Sequence, residues 1–278
     1  VRLATLVTAV ATAAAACLSA ACSAPDAAED SVVTRAYETG TLTIGIRFDQ
    51  PGLSERTIDG RFVGFDVDVA EFVADELGVA ADDITWRETT PAQRESDLSS
   101  GAVDLVVAAY SITEERKETV SFAGPYFVTG QDLLVRASAT EIDGPEALSG
   151  KRLCSVTGST SAAQVKERFA RTLELVEYPR NSDCVTALLA GQVDAVTTDA
   201  AILAGFAAQN PELLRLVGEP FSTERYGVGL RKGDTDGQAA VAAAIERMIE
   251  SGRWRESLER NLGPSGYPLP EPPEVTER

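Results

Sequence analysis

The 278-residue sequence contains no histidine. That removes Ser-His-Asp and Cys-His catalytic groups, the His-Glu-x-x-His zinc site and any histidine-ligated metal or haem. Acid–base chemistry would fall to carboxylates, lysine, tyrosine or cysteine. Basic residues are also scarce. Against 43 Asp and Glu there are 25 Lys and Arg, a net charge of -18. A nucleic-acid surface needs the opposite sign, so no nucleic-acid partner is expected. Beyond the first 22 residues no apolar run is long enough to span a membrane. Phosphate-loop, calcium-loop and nucleophile-elbow patterns are lacking, and no metal or cofactor is expected. Cysteines number four. What remains is 44% apolar and 24% charged, the balance of a globular chain with a sizeable core. The length allows one large domain or two smaller ones.

Residues 1–22 read VRLATLVTAVATAAAACLSAAC. One positive charge, Arg2, precedes a run of small, mostly apolar residues, which is the pattern of a secretory signal peptide over 1–21. A membrane anchor is the alternative. LSAAC, ending at Cys22, resembles a bacterial lipoprotein box, although Leu18 lies one position further upstream than usual. Lipidation of Cys22 is expected, with ordinary cleavage as the alternative. The chain is then exported and held at the outer face of the cytoplasmic membrane by its lipid anchor only. With Cys17 removed and Cys22 acylated, Cys154 and Cys184 remain as a pair in an oxidising compartment and read as a disulfide. A loop of this size would contribute roughly 3–4 kcal/mol. Two buried free thiols are the alternative. A catalytic thiol would have no histidine to activate it.

Residues 22–40 are polar, acidic and poor in large apolar groups, and read as a tether. From Gly263 the chain holds five of its thirteen prolines, so 263–278 reads as an extended tail. Between them, strand and helix patterns alternate. TLTIGIRF (41–48), DITWRET (83–89) and VDLVVAAY (103–110) read as strands. FDVDVAEFVADELG (65–78) has apolar residues at helical spacing, with Gly78 as its stop. Such repetition argues for an α/β fold with parallel sheets covered by helices. SGAVDLVVA (100–108) and AGQVDAVTT (190–198) share one frame, each after a helix, which suggests two lobes of related topology. Lobe one is expected over 41–133, with 226–262 returning to it, and lobe two over 134–225. The glycine-bearing strands at 130–137 and 225–232 would make the crossings.

GFDVDVAEFVADELG (64–78), YSITEERKETVSFAGPYF (110–127), VTGSTS (156–161) and VDAVTTD (193–199) occur in an order and spacing that resemble the bacterial extracellular solute-binding proteins of family 3. The resemblance covers 41–262. Within the family, FDQPG, AGPYFVTGQDLLV and CSVTGSTSAAQ are most similar to the glutamate-binding components of actinobacterial uptake systems. It implies a two-lobed, type II periplasmic-binding-protein fold that closes on an amino acid and delivers it to ABC permease subunits. A monomer without enzyme activity is expected. Dehydratases share the scaffold, but the lack of histidine counts against that chemistry. An amino-acid sensing module, or a binder of a neutral amino acid such as glutamine, are the other readings.

The resemblance also implies roles for individual residues. Arg116 matches the arginine that grips the ligand α-carboxylate, a task suited to a guanidinium fork. Thr113 can cap the short helix that carries it. Ala109 supplies a carbonyl and Ser111 a hydroxyl near the ligand. Thr160, at a helix start in lobe two, matches the residue that closes on the carboxylate, though an N-cap cluster would look the same. Asp199 matches the ammonium-binding acid and could also be an N-cap. Arg47 and Arg94 are expected to meet a side-chain carboxylate, which gives L-glutamate or aspartate. Exposed charges are the alternative at both. Phe48 is a candidate lid or core residue, and Gln50 and Gln131 are polar candidates near the cleft. Asp66 and Asp68, in the first turn of a helix, read as partners of its dipole.

Overall fold

The computed structural model describes residues 31–159, 161–168 and 173–278. Cys22 and Thr160 lie outside the described residues. The chain runs through α1 (Val32–Thr39), β1 (Leu42–Ile46), β2 (Asp49–Gln50), β3 (Ser54–Arg56), β4 (Phe62–Val63) and α2 (Phe65–Glu76). It continues through β5 (Ile84–Glu88), α3 (Arg94–Ser99), β6 (Leu105–Val106), α4 (Glu114–Lys117) and β7 (Val120–Thr129). A second unit follows: β8 (Gln131–Arg136), β9 (Arg152–Val156), α5 (Ser161–Arg168), β10 (Glu174–Tyr178), α6 (Asn181–Leu189), β11 (Ala195–Asp199), α7 (Ala200–Gln209) and β12 (Leu214–Leu216). Then β13 (Glu224–Arg231), α8 (Thr235–Glu250) and α9 (Arg253–Leu262) return to the first.

Each lobe is built on one mixed five-stranded sheet, and the two sheets share a plan. Lobe one has the order β5-β1-β6-β13-β7, and lobe two β10-β9-β11-β8-β12. In each, the first three strands are parallel and the next is antiparallel to its neighbours. The repeated Val-Asp frame does the same work in both. Asp104 Oδ2 accepts from the Thr43 N–H at the start of β1, at 2.7 Å, and Asp194 Oδ2 accepts from the Arg152 N–H at the start of β9, at 2.8 Å. A short carboxylate after each helix thus fixes where the neighbouring strand begins.

The lobes are joined by two crossings, at Gly130 and over 217–223. They run in contact: a Cβ at Gly130 would lie 2.5 Å from the Ser222 carbonyl oxygen. Both faces of each sheet are covered. Phe65, Phe127 and Trp254 pack together on one face of lobe one, and Leu98, Val106 and Phe122 lie on the other. Cys154 of β9 and Cys184 of α6 form a disulfide, with Cα atoms 5.6 Å apart. Both are fully buried, so the bond fastens α6 to its sheet.

Two expectations at the ends of the chain need correction. Residues 31–40 are not tether. Ser31 caps α1, Gly40 ends it in the left-handed conformation, and Val32 and Ala36, one helical turn apart, are buried. Asp234 accepts from the Val32 N–H and also caps α8, so one carboxylate ties two helix starts. The tail is extended but packed. Val275 is buried, Tyr267 bonds Thr129 through its hydroxyl at 2.7 Å, and Glu277 pairs with Gly124 on β7. Strand β7 is an edge of its sheet, and sparse apolar residues suffice to hold a segment that covers it. The run VDLVVAAY is also shorter as a strand than it reads. It leaves the sheet after Val106, and Ala109 adopts φ 47.

Replacing Cys154 and Cys184 by alanine should lower unfolding free energy by roughly 3–4 kcal/mol. Urea unfolding checks this; a change below about 1 kcal/mol would show that the cross-link adds little to the native packing.

Candidate functional site

A cavity of about 40 Å³ lies between the lobes. It is bounded by the segments that leave the carboxyl ends of β1, β6, β9 and β11, where ligands of open α/β sheets bind. Of the expected residues, Arg47, Arg94, Ala109, Ser111, Arg116 and Asp199 line it. Ser159 and Ser161 line it on either side of position 160, and the Ser161 N–H donates to Ser159 Oγ at 3.2 Å.

The wall from lobe one is cationic. Arg94 opens α3 and is 4% exposed, which excludes a surface role. Its guanidinium lies 4.2 Å from the Tyr110 ring centre, and that of Arg116 lies 5.2 Å from the same ring. Arg94 Nη1 donates to the carbonyls of Ala108 and Ala109, at 3.2 and 3.4 Å, and its Nε is buried with no partner among the described residues. Burial, and then the like charge of Arg116, push Arg94 down to about 9. It stays charged at neutral pH but is short of a counter-ion. Arg116 is aimed by its own helix. Thr113 caps α4 through the Arg116 N–H, and Arg116 Nη1 donates to the Ser111 carbonyl at 2.7 Å. Glu95 lies 3.6 Å from Arg116 Nε and accepts the Tyr110 hydroxyl at 2.7 Å.

The opposite wall is anionic. Asp199 stands at the N-cap position of α7, yet its side chain makes no cap. Instead Oδ2 accepts the Tyr226 hydroxyl at 2.5 Å. Glu224, also buried and lining the cavity, accepts from Gln131 Nε2 at 3.0 Å and Ser222 Oγ at 2.9 Å. Burial first, and then Glu224, push the Asp199 carboxyl up to about 7. The cleft therefore offers two poles, guanidinium groups on one side and carboxyls on the other, as a desolvated zwitterion requires.

Ala109 between these walls is held in the left-handed region by Asp66. Its N–H donates to Asp66 Oδ2 at 2.8 Å, and Tyr126 donates to Oδ1 at 2.9 Å. Strained backbone of this kind persists only where its surroundings over-determine it. Asp66 is thus a buried support of the site rather than a plain dipole partner, and burial pushes its carboxyl up to about 6. Asp68 instead accepts from Ser257, Arg260 and Asn261 of α9.

Two expected residues sit differently. Phe48 does not line the cavity; it packs on Phe62, ring centres 4.9 Å apart, with Arg56 over both rings. It directly follows Arg47 in the two-residue link between β1 and β2, and the two side chains go to different surroundings. Arg47 does line the cavity but its charge is matched. Nη2 pairs with Asp49 at 2.8 Å and Nη1 donates to the Thr89 carbonyl at 3.1 Å. Glu224 and Asn181 line the cavity and were not expected there. Both stand in segments without a local motif, so only the crossing and the start of α6 reveal them.

The sequence matches the family model of bacterial extracellular solute-binding proteins, family 3, over residues 42–264. The glutamate-binding protein GluB of Corynebacterium efficiens is 47% identical over 238 residues, covering 82% of this chain and 81% of that protein. The ABC transporter glutamine-binding protein GlnH of Bacillus subtilis is 36% identical over 198 residues, covering 71% of each. Among solved structures, an ancestral arginine-binding protein bound to glutamine superposes with a TM-score of 0.76 at 35% identity, covering 81% of this chain and 98% of the other. The chain belongs to the bacterial extracellular solute-binding proteins, family 3.

Proposed function

We propose that this protein is the exported receptor of an ABC importer and captures L-glutamate between its lobes. Arg116, with Thr160 from lobe two, takes the α-carboxylate. The Ala109 carbonyl, Ser111 and Asp199 take the ammonium. Arg94 takes the side-chain carboxylate. The chain acts as a monomer, is anchored through Cys22, passes its ligand to permease subunits, and makes or breaks no bond in it. The observation that supports the acidic ligand is Arg94. Its hydrogen bonds go to carbonyls, its Nε is unpaired among the described residues, and Arg116 stands against the same ring. Two desolvated guanidinium groups on one tyrosine ring call for two carboxylates. The likeness to GluB points the same way.

A second reading, glutamine, rests on Gln50 and Asn181, which line the cavity with amide oxygens that are buried and unpaired among the described residues. An amide ligand would supply their missing donors.

Titration calorimetry with a panel of amino acids separates the two. Glutamate should bind most tightly, and tight binding of glutamine with none of glutamate would reverse the assignment. Arg94→Ala should weaken glutamate by roughly 2–5 kcal/mol, as for loss of one partner of a buried pair. Glutamine should lose far less. An equal loss for both would remove Arg94 from the side-chain subsite.

A pH series tests Asp199. An ionised carboxylate must meet the ligand ammonium, and this carboxyl holds its proton up to about 7 in the free protein. Binding below that pH displaces a proton, so affinity should fall as pH drops from about 7 to about 5, by up to roughly tenfold per unit. Stability of the free protein moves the other way. Between the unfolded value and about 7 the native state holds a proton that the unfolded chain does not, so this group's contribution declines as pH rises. Asp199→Asn should flatten both trends; an unchanged affinity profile in that variant would exclude Asp199 as the ammonium partner.

A further inference from the structure

Helix α6 begins without a side-chain cap of its own. Its N-cap position is Arg180, which has no acceptor to offer. The first turn of a helix presents N–H groups that need partners. One of them is supplied across the cleft. Asp49 of lobe one, through Oδ2, accepts from the Ser182 N–H at 3.1 Å and from Ser182 Oγ at 3.2 Å. The other carboxylate oxygen of Asp49 is the one that pairs with Arg47. Arg47 is 1% exposed and is fixed in turn to the Thr89 carbonyl after β5. A chain of bonds therefore runs from the lobe-one sheet, through Arg47 and Asp49, to the start of α6, and the disulfide continues it from Cys184 into β9.

We propose that Asp49 is the catch that holds the lobes closed around the ligand, and that Arg47 is the residue that positions it. The inference rests on the reading of the cleft as an amino-acid site, but neither residue needs to touch the ligand. Lobe contact here is close on both sides of the catch. Arg180 pairs with Glu88 at 2.7 Å, and a Cβ at Gly205 of α7 would lie 2.1 Å from the Pro51 carbonyl oxygen. When the lobes part, the Ser182 N–H returns to water while Asp49 keeps Arg47. The catch thus forms only in the closed state, and its contribution appears in how long the ligand stays. Arg47 in this account is not a second grip on the side-chain carboxylate. Its guanidinium holds the Asp49 carboxylate where a helix from the other lobe will arrive.

The test measures ligand on- and off-rates and lobe separation in the exported chain, with fluorophores at Ile58→Cys of lobe one and Leu213→Cys of lobe two, both exposed positions. L-Glutamate and L-glutamine are the probes. Asp49→Ala should raise the off-rate roughly tenfold or more, the loss expected for charge-assisted bonds, with the on-rate within about twofold. Ser182→Ala, which removes one bond and leaves Arg47 paired, should give a smaller rise in off-rate and an unchanged melting temperature. Unchanged off-rates in both variants overturn the catch. So does an off-rate effect matched by an equal fall in on-rate, because that is loss of the site and not of closure. If the parent chain binds neither amino acid, the ligand assignment fails by itself. The catch is then read from the ligand-free lobe separation, which Ser182→Ala and Asp49→Ala should shift toward open, and an unshifted distribution overturns it.

Discussion

Two guanidinium groups, those of Arg94 and Arg116, both stand against the ring of Tyr110 in a place almost without water. Bringing two like charges together out of water is unfavourable unless something neutralises or solvates them. Much of the neighbourhood can be understood as a response. Carbonyls of Ala108, Ala109 and Ser111 take the donors that can be reached, and Glu95 balances part of the charge from the rim. In the proposed complex the remaining demand is met by the carboxylates of the ligand. That is how a chain of net charge -18 can capture an acidic amino acid. The sign is reversed locally, by burial, while the acidic exterior serves solubility.

The support for this pair is distributed over elements far apart in sequence. Asp66 at the start of α2 holds Ala109 in its left-handed conformation, and Tyr126 of β7 holds Asp66. Tyr226 of β13 holds Asp199, so the returning strand shapes the acidic wall. The tail, through Glu277, reaches Lys117 beside Arg116 at 2.8 Å. The Asp66 support lies within lobe one, whereas the Tyr226–Asp199 bond, like Asp49–Ser182 and Arg180–Glu88, joins the two lobes and must part when they open. This division between firm lobes and a separable seam is what hinge closure requires.

The alternation of strands and helices was legible from hydrophobic spacing, and the Val-Asp frame that repeats in both lobes marks the same strand-pinning bond twice. The Cys154–Cys184 pair was legible from the count of cysteines and the export signal. Helix α1 was missed because its stripe is only Val32 and Ala36, too narrow to stand out beside acidic residues on both sides. The ordered tail was missed because prolines mask a few apolar anchors. Arg94 read as an open choice between surface and site, since burial of one arginine depends on Tyr110, sixteen residues later in the chain. Arg47 read as a ligand contact because Asp49, two residues on, gave no sign of facing α6. Glu224 was invisible for a similar reason: only the meeting of the two crossings brings it beside Asp199.

A crystal structure with L-glutamate bound is the most direct test, because each charged end of the ligand has its own expected partner. The α-carboxylate should lie on Arg116, the ammonium on Asp199, and the side-chain carboxylate within hydrogen-bond distance of Arg94, with Arg47 still paired to Asp49. A side-chain carboxylate resting on Gln50 and Asn181, with Arg94 bonded only to protein carbonyls, would contradict it.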